Sequence, residues 1–178
     1  MILTGPAIAA ARAAGEITID PYDPDRLSPN AYDWRLGDNL RICGGDLDAA
    51  APTDSTEIAI PRTGFVLQPG VLYLGITHEK TGSETYAQFL NGNRAIGARG
   101  IWVHVSAPLG HQGHAIHWTL EIRTSQPVRV YPRMTFGKLV FLQALGATVS
   151  YQQHGLKYTA SQGIETSRLY EEIPGGRP

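Results

Sequence analysis

The chain has 178 residues, 42% of them hydrophobic, which suits one globular domain over 1–178 with a single core. Its net charge of -1, from 15 basic and 16 acidic residues, leaves no electrostatic footprint for duplex nucleic acid and no basic patch for an anionic membrane, so an anionic ligand has to be gripped locally. The single cysteine, Cys43, excludes an intramolecular disulfide, fits a reducing cytoplasm and rules out the zinc deaminase signature, which needs H-x-E with P-C-x-x-C.

The amino-terminal run MILTGPAIAAARAAGE has no basic segment ahead of its apolar stretch and does not read as a secretion signal. Thr4 as N-cap, Pro6 in the first turn and Gly15 as the C′ residue predict a helix with Ala7 to Ala14 as its body. From Ile17 the period drops to two. ITID predicts a strand, DPYDPDRLSPN a connection, and AYDWRL a strand with Tyr32, Trp34 and Leu36 on one face and Asp33 and Arg35 on the other, where opposite charges suit a buried network. Gly37 with Asp38, then Gly44 with Gly45, predict turns, and Asp46 to Ser55 a surface loop. Cys43, in LRICGG, reads as a small buried apolar residue. EIAIP, FVLQPG, VLYLGITHE, YAQFL, IWVHV, WTLEI, VRVYP and KLVFL bring the total to about ten short strands bounded by Pro and Gly. The predicted fold is all-β, a barrel or jelly roll with a short N-terminal helix. No segment approaches the ~18 apolar residues that span a bilayer, and 171–178 predicts a flexible tail.

The stretch from Leu90 to Glu121 carries the chemistry-bearing residues. Arg94, Gly97, Arg99 and Gly100 suit an anion seat, because small residues admit a ligand to the backbone and guanidinium groups pair bidentately with phosphate. Beyond the histidine-rich loop, Glu121 stands among apolar residues in WTLEI, a setting that suits a general base. The same residues also suit a plain β-hairpin with a solvated glutamate and two surface arginines. His111, His114 and His117 alternate faces in an extended chain, so they do not converge on one metal unless Gly110 and Gly113 turn it, and no nearby carboxylate or thiolate pair completes a ligand set. No protein-bound metal is expected. His104 shares a face with Trp102 and Ser106 and reads as a satisfied core or interface histidine. After the last strand, Lys157, Tyr158, Ser161 and Gln162 form a glycine-flanked polar segment, either a clamp for phosphates or an ordinary tail.

ILTGPAIAAARAAGEITIDPYDP, LSPNAYDWRLGDNLRI, LNGNRAIGARGIWVHVSA, WTLEI, QPVRVYPRM and KYTASQGIETSRLY together resemble the dCTP deaminase branch of the dUTPase superfamily over nearly the whole chain. The resemblance implies a distorted β-barrel of the dUTPase type, a homotrimer with active sites between subunits, and deamination of the cytosine of dCTP without protein-bound zinc. It also implies magnesium arriving with the nucleotide phosphates, and dUTP hydrolysis in some members. By the same resemblance Glu121 is the catalytic glutamate that activates water for attack at cytosine C4, and Ala107 supplies the carbonyl that orients this water. Lys157, Tyr158 and Gln162 belong to the segment that folds over the triphosphate, and Asp33 and Arg35 to a structural motif.

The departures fall in the site itself. Where the family shows R-S-S-[LI]-[AG]-R-x-G, this chain places Asn93, Arg94, Ala95 and Ala98 at the arginine, the two serines and the second arginine. A slip of one residue recovers Arg94 and Arg99 but leaves Ala95 and Ile96 at the serines. His111 replaces an aspartate expected near the sugar 3′-hydroxyl, and His114 an adjacent aromatic residue. Three readings are compatible with this pattern: a deaminase of a cytosine nucleotide, a re-purposed phosphohydrolase acting on an unusual nucleotide or conjugate, and a catalytically inactive nucleotide-binding trimer.

Overall fold

The structure, a computed structural model, describes residues 1–146, 149–155, 157–158 and 163–175. Helix α1 spans Gly5–Ala13, with Thr4 extended at the N-cap and proline in the first turn. Its end is set by Gly15 at φ 77°, which lets Gly15 N–H donate to the Arg12 carbonyl and Glu16 N–H to that of Ala11. Strand β1 is Ile17–Asp20. The connection after it holds a 3-10 turn, Pro24–Arg26, and a two-residue strand, β2, Leu27–Ser28.

The remaining strands are β3 (Ala31–Cys43), β4 (Ser55–Ala59), β5 (Phe65–Leu67), β6 (Tyr73–Ser83) and β7 (Tyr86–Gly92). A single helical turn, α2 (Arg94–Gly97), precedes β8 (Ile101–Trp102), β9 (Leu109–Gly110), β10 (His114–Thr124), β11 (Val128–Val130) and β12 (Thr135–Gln143). One antiparallel sheet runs β8-β10-β6-β3-β12-β7-β9, with β1 against β6 and both β2 and β4 against β3, while β5 and β11 form a separate ribbon. The expected all-β class with one short helix is what the chain adopts. Period-two patterning places Tyr32, Trp34 and Leu36 of β3, Leu120 and Ile122 of β10, and Leu139 and Phe141 of β12 fully inside, and Phe136, of opposite parity, joins them at the irregularity between Thr135 and Gly137.

Gly37 and Asp38 do not turn the chain. β3 runs through them for 13 residues, and its register against β6 shifts between Leu36 and Leu40. The glycine is there for close approach: a Cβ at Gly37 would lie 2.5 Å from the Ile76 side chain. Asp33 and Arg35 share a face as expected and pair with neighbouring strands, Asp33 with Lys138 at 2.5 Å where both are partly exposed, and Arg35 with the fully buried Glu79 at 2.6 Å. Gly137 of β12 has the same packing role, since a Cβ there would overlap the Asn91 carbonyl and the Trp34 ring. Gly137→Ala is therefore expected to destabilise the fold by about 1–3 kcal/mol, read as a lowered denaturant midpoint. An unchanged midpoint would show that the Trp34 ring moves aside at no cost.

Candidate active site

The position of Glu121 follows from a register shift in β10. His114, Ile116 and Trp118 face a cavity of about 720 Å³, as period two requires, but so do Thr119 and Glu121. The parity changes because the pairing of β10 with β6 slips between His117 and Thr119. A bulge moves every later side chain to the opposite face. Trp118 fixes it, with its backbone N–H donating to Thr77 Oγ1 at 2.8 Å and its indole N–H to Thr81 Oγ1 at 2.7 Å. Leu120 and Ile122 accordingly enter the core while Glu121 opens into the cavity.

The opposite wall comes from the segment after β8. IWVHV is regular only at Ile101–Trp102; beyond it the chain leaves the sheet, so Trp102, His104 and Ser106 do not share a strand face. Trp102 is exposed, whereas His104, Ser106 and Ala107 line the cavity. Ser106 holds the glutamate: its backbone N–H donates to Glu121 Oε2 at 3.0 Å and its hydroxyl lies 3.4 Å from the same oxygen. The amide hydrogen bond is the shorter and the hydroxyl contact is near the outer limit of a hydrogen bond, so Ser106→Ala is expected to cost less than about fivefold in kcat. A larger loss in steady-state rates would assign the hydroxyl a direct role.

The histidine at 104 is not satisfied. Both ring nitrogens are buried without a hydrogen-bond partner, and burial pushes its pKa down against the opposing pull of Glu121. His111 and His114 also line the cavity, and both stack on Tyr151 with ring centroids 5.4 and 4.6 Å away. Gly113, at φ 97°, supplies the turn that makes this possible, but His117 leaves the group, its Nδ1 lying 3.1 Å from the Thr77 carbonyl oxygen. Among the described residues no three His, Cys, Asp or Glu side chains come together as a metal site. Cys43 is half-buried on the cavity wall rather than enclosed in the core, because β3 ends there and the Asp46 to Ser55 loop folds past it. Leu47 and Asp48 of that loop also line the cavity, so a segment that reads as plain surface forms one side of the site.

Three of the sequence-predicted binding residues lie elsewhere. Asn93 caps α2, its side-chain oxygen accepting from Ile96 N–H at 3.0 Å, while Arg94 and Arg99 are exposed and do not line the cavity. Arg99 borders a separate hollow with Ser125 and Arg129. Tyr158 lines the cavity and its hydroxyl accepts from Arg168 N–H at 3.0 Å. Lys157 is engaged with the Arg168 carbonyl at 2.9 Å and the Glu172 carboxylate at 2.6 Å. Ser161 and Gln162 lie outside the described residues. Of the tail expected over 171–178, Glu171 and Glu172 belong to a 3-10 turn, Leu169–Glu172, tied by Arg168 to Glu171 and by Lys157 to Glu172, and 176–178 lie outside the described residues.

The dCTP deaminase-like family profile matches residues 2–144. A dCTP deaminase of Rhodopirellula baltica is 37% identical over 97% of this chain and 86% of its own length. The chain belongs to the dCTP deaminase-like family. A second relative, the dUMP-forming dCTP deaminase of Cytophaga hutchinsonii, is 38% identical over 97% of this chain and 99% of its own length. Among solved structures, the 2′-deoxycytidine 5′-triphosphate deaminase of Agrobacterium tumefaciens superposes with a TM-score of 0.64 over 79% of this chain and 46% of that one. At 20% identity this shows the shared fold of a dCTP deaminase-like chain, the distorted barrel that the resemblance implied.

Proposed function

We propose that the chain catalyses hydrolytic deamination of a cytosine (deoxy)nucleotide to the uracil nucleotide, releasing ammonia, in the cavity that contains Glu121. The observation that carries this reading is the Glu121 carboxylate, turned into the cavity by the Trp118 bulge, held at Oε2 by Ser106 N–H and lining the same cavity as Ala107. The names of the Rhodopirellula and Cytophaga relatives support it. In this reading Glu121 removes a proton from water as the oxygen bonds to C4 and returns that proton to ring N3. It then carries a second proton from the new hydroxyl to the amine. The C4–N bond breaks, ammonia leaves and a C4 carbonyl remains. The Ala107 carbonyl orients the water, and magnesium enters only as part of a phosphorylated substrate.

Arg94 and Arg99 sit on and just after α2, outside the cavity, so they serve a bound nucleotide from across a subunit boundary. A homotrimer with shared sites supplies that arrangement, and light scattering on the purified chain tests it. With both arginines changed to alanine, cytosine nucleotide affinity is expected to fall by at least about 1.5–3 kcal/mol, the worth of a charged hydrogen bond. An unaltered dissociation constant places the phosphate elsewhere.

A second reading, phosphate-bond hydrolysis, draws on this arginine pair and on the dUMP-forming activity named for the Cytophaga relative. One assay separates the two: the chain and magnesium with a panel of cytosine and uracil nucleotides, following ammonia, pyrophosphate and nucleotide products. Ammonia from a cytosine nucleotide supports deamination. Pyrophosphate or monophosphate without ammonia transfers the assignment to the second reading, and binding without turnover overturns both.

A further inference from the structure

We infer that Thr77 is a positioning residue for the deamination: through the Trp118 bulge, its hydroxyl sets where the Glu121 carboxylate stands in the cavity. This rests on the deamination reading and deepens it. Thr77 is 2% exposed and does not line the cavity, so it acts on the reaction only through β10. The ladder between β10 and β6 pairs His117 with Lys80 and Thr119 with Ile76, which leaves the Trp118 N–H in the gap. A backbone donor displaced by a bulge has to find another partner. Thr77 supplies it, its Oγ1 accepting from Trp118 N–H at 2.8 Å while donating to the Glu79 carbonyl at 2.7 Å. Because a hydroxyl has one proton, the donation to Glu79 leaves its lone pairs for Trp118. The Thr77 carbonyl oxygen also lies 3.1 Å from His117 Nδ1, so both residues at the slip are tied to Thr77.

Two other constraints act on the same stretch, and neither fixes the carboxylate. Burial of Leu120 and Ile122 keeps Glu121 on the cavity face once the bulge has formed, but burial is non-directional and tolerates a small slide of the strand. The Trp118 ring is pinned by Thr81 Oγ1 at 2.7 Å and by β9, where a Cβ at Gly110 would lie 2.3 Å from it. A pinned ring leaves its own backbone able to swing about the side-chain torsions. The Thr77 hydroxyl removes that freedom, since a hydrogen bond has both a length and a direction. It does so just ahead of Glu121, whose Oε2 has to meet the Ser106 N–H at 3.0 Å. A shift of ~1 Å there costs about 10²-fold in rate.

The test puts Thr77→Val and Thr77→Ser into the full chain. It measures kcat per folded molecule by ammonia release, KM for the best cytosine nucleotide of the panel, and hydrogen exchange at the Ser106 amide. Valine keeps the branched shape and loses the acceptor, whereas serine keeps the hydroxyl. Thr77→Val is expected to lower kcat by about tenfold or more with KM within about threefold, and to speed Ser106 exchange by about tenfold. Thr77→Ser is expected to stay within about threefold of the wild-type chain in all three. A merely structural threonine would change the yield of folded protein and leave kcat per folded molecule where it was. That outcome overturns the inference, and so does an equal loss of kcat in both variants, which would trace the effect to packing. Should Thr77→Val fail to fold, Thr77→Ala carries the same expectation and the same overturning results. If the wild-type chain yields no ammonia from any cytosine nucleotide of the panel, the deamination reading fails. Ser106 exchange then decides alone: faster exchange in Thr77→Val supports the positioning role, and unchanged exchange overturns it.

Discussion

Glu121→Gln is expected to lower kcat for ammonia release by about 10²–10⁴-fold, the span of general acid–base catalysis, while leaving ligand affinity within about tenfold. The substitution keeps shape and keeps an oxygen to accept from Ser106 N–H, now 3.0 Å from Oε2, so the side chain retains its place between β10 and the segment after β8. What it removes is the ability to take a proton from water. Glu121→Asp sets a complementary expectation. The acid is retained but its carboxylate withdraws by about one methylene from the cavity, and displacement on that scale costs about 10²-fold when the reacting groups are already aligned. Losses of similar size in kcat with little change in affinity for both variants assign Glu121 to the proton transfers. Unchanged turnover in Glu121→Gln removes it from the mechanism.

That Glu121 stands among alternating apolar residues is legible in the sequence, but its orientation into the cavity is not. WTLEI alternates correctly on its own, and so does HAIHW; nothing in composition says that the two runs are out of phase. The phase is set by β6, whose Thr77 and Thr81 hydroxyls hold the backbone and ring of Trp118. Those partners are remote in the chain, so periodicity cannot reveal them. The same limit hides Tyr151, whose ring stacks with both His111 and His114 and whose N–H donates to the Gln112 carbonyl at 2.9 Å. The spacing of the histidines leaves open whether Gly113 turns the chain, and says nothing of the ring on which two of them stack.

Glycine is the most ambiguous sign. Gly15, Gly45 and Gly113 adopt positive φ at ends and turns, as expected of an unhindered backbone. Gly37 looks identical in sequence and does the opposite, extending β3 past Ile76 where any side chain would collide. The strand class, the faces of AYDWRL and the boundaries of α1 are local properties and are readable. The Asp46 to Ser55 loop becomes part of the site only because the sheet curls beneath it, which no local pattern encodes.

Glu79→Ala is expected to give the largest loss of stability, about 3–5 kcal/mol, because it leaves a buried guanidinium without its counterion. Glu79 lies in β6 with its side chain fully buried; its Oε1 accepts from Arg35 Nε at 2.6 Å and its Oε2 from Arg35 N–H at 2.8 Å. Two orphaned donors would remain, one charged, on a side chain only 17% exposed. Glu79→Gln keeps an acceptor but not the charge and is expected to cost about 1.5–3 kcal/mol, the value of a charge-assisted hydrogen bond. Replacing both partners, as in Arg35→Met with Glu79→Leu, is expected to recover most of the loss, since well-packed apolar pairs match or exceed buried ion pairs. Urea unfolding of the wild-type chain, Arg35→Met, Glu79→Leu and the double variant gives the coupling energy directly. A cost below about 1 kcal/mol for Glu79→Ala would show that water reaches Arg35 and that the pair behaves as a surface bridge. The consequence extends to the site, because β6 pairs with β10 and sets Leu74 opposite Glu121. The ion pair that ties β3 to β6 therefore also holds the strand against which the glutamate is registered, and loss of activity in Glu79→Ala is expected to track loss of folded protein rather than a change in kcat per folded molecule.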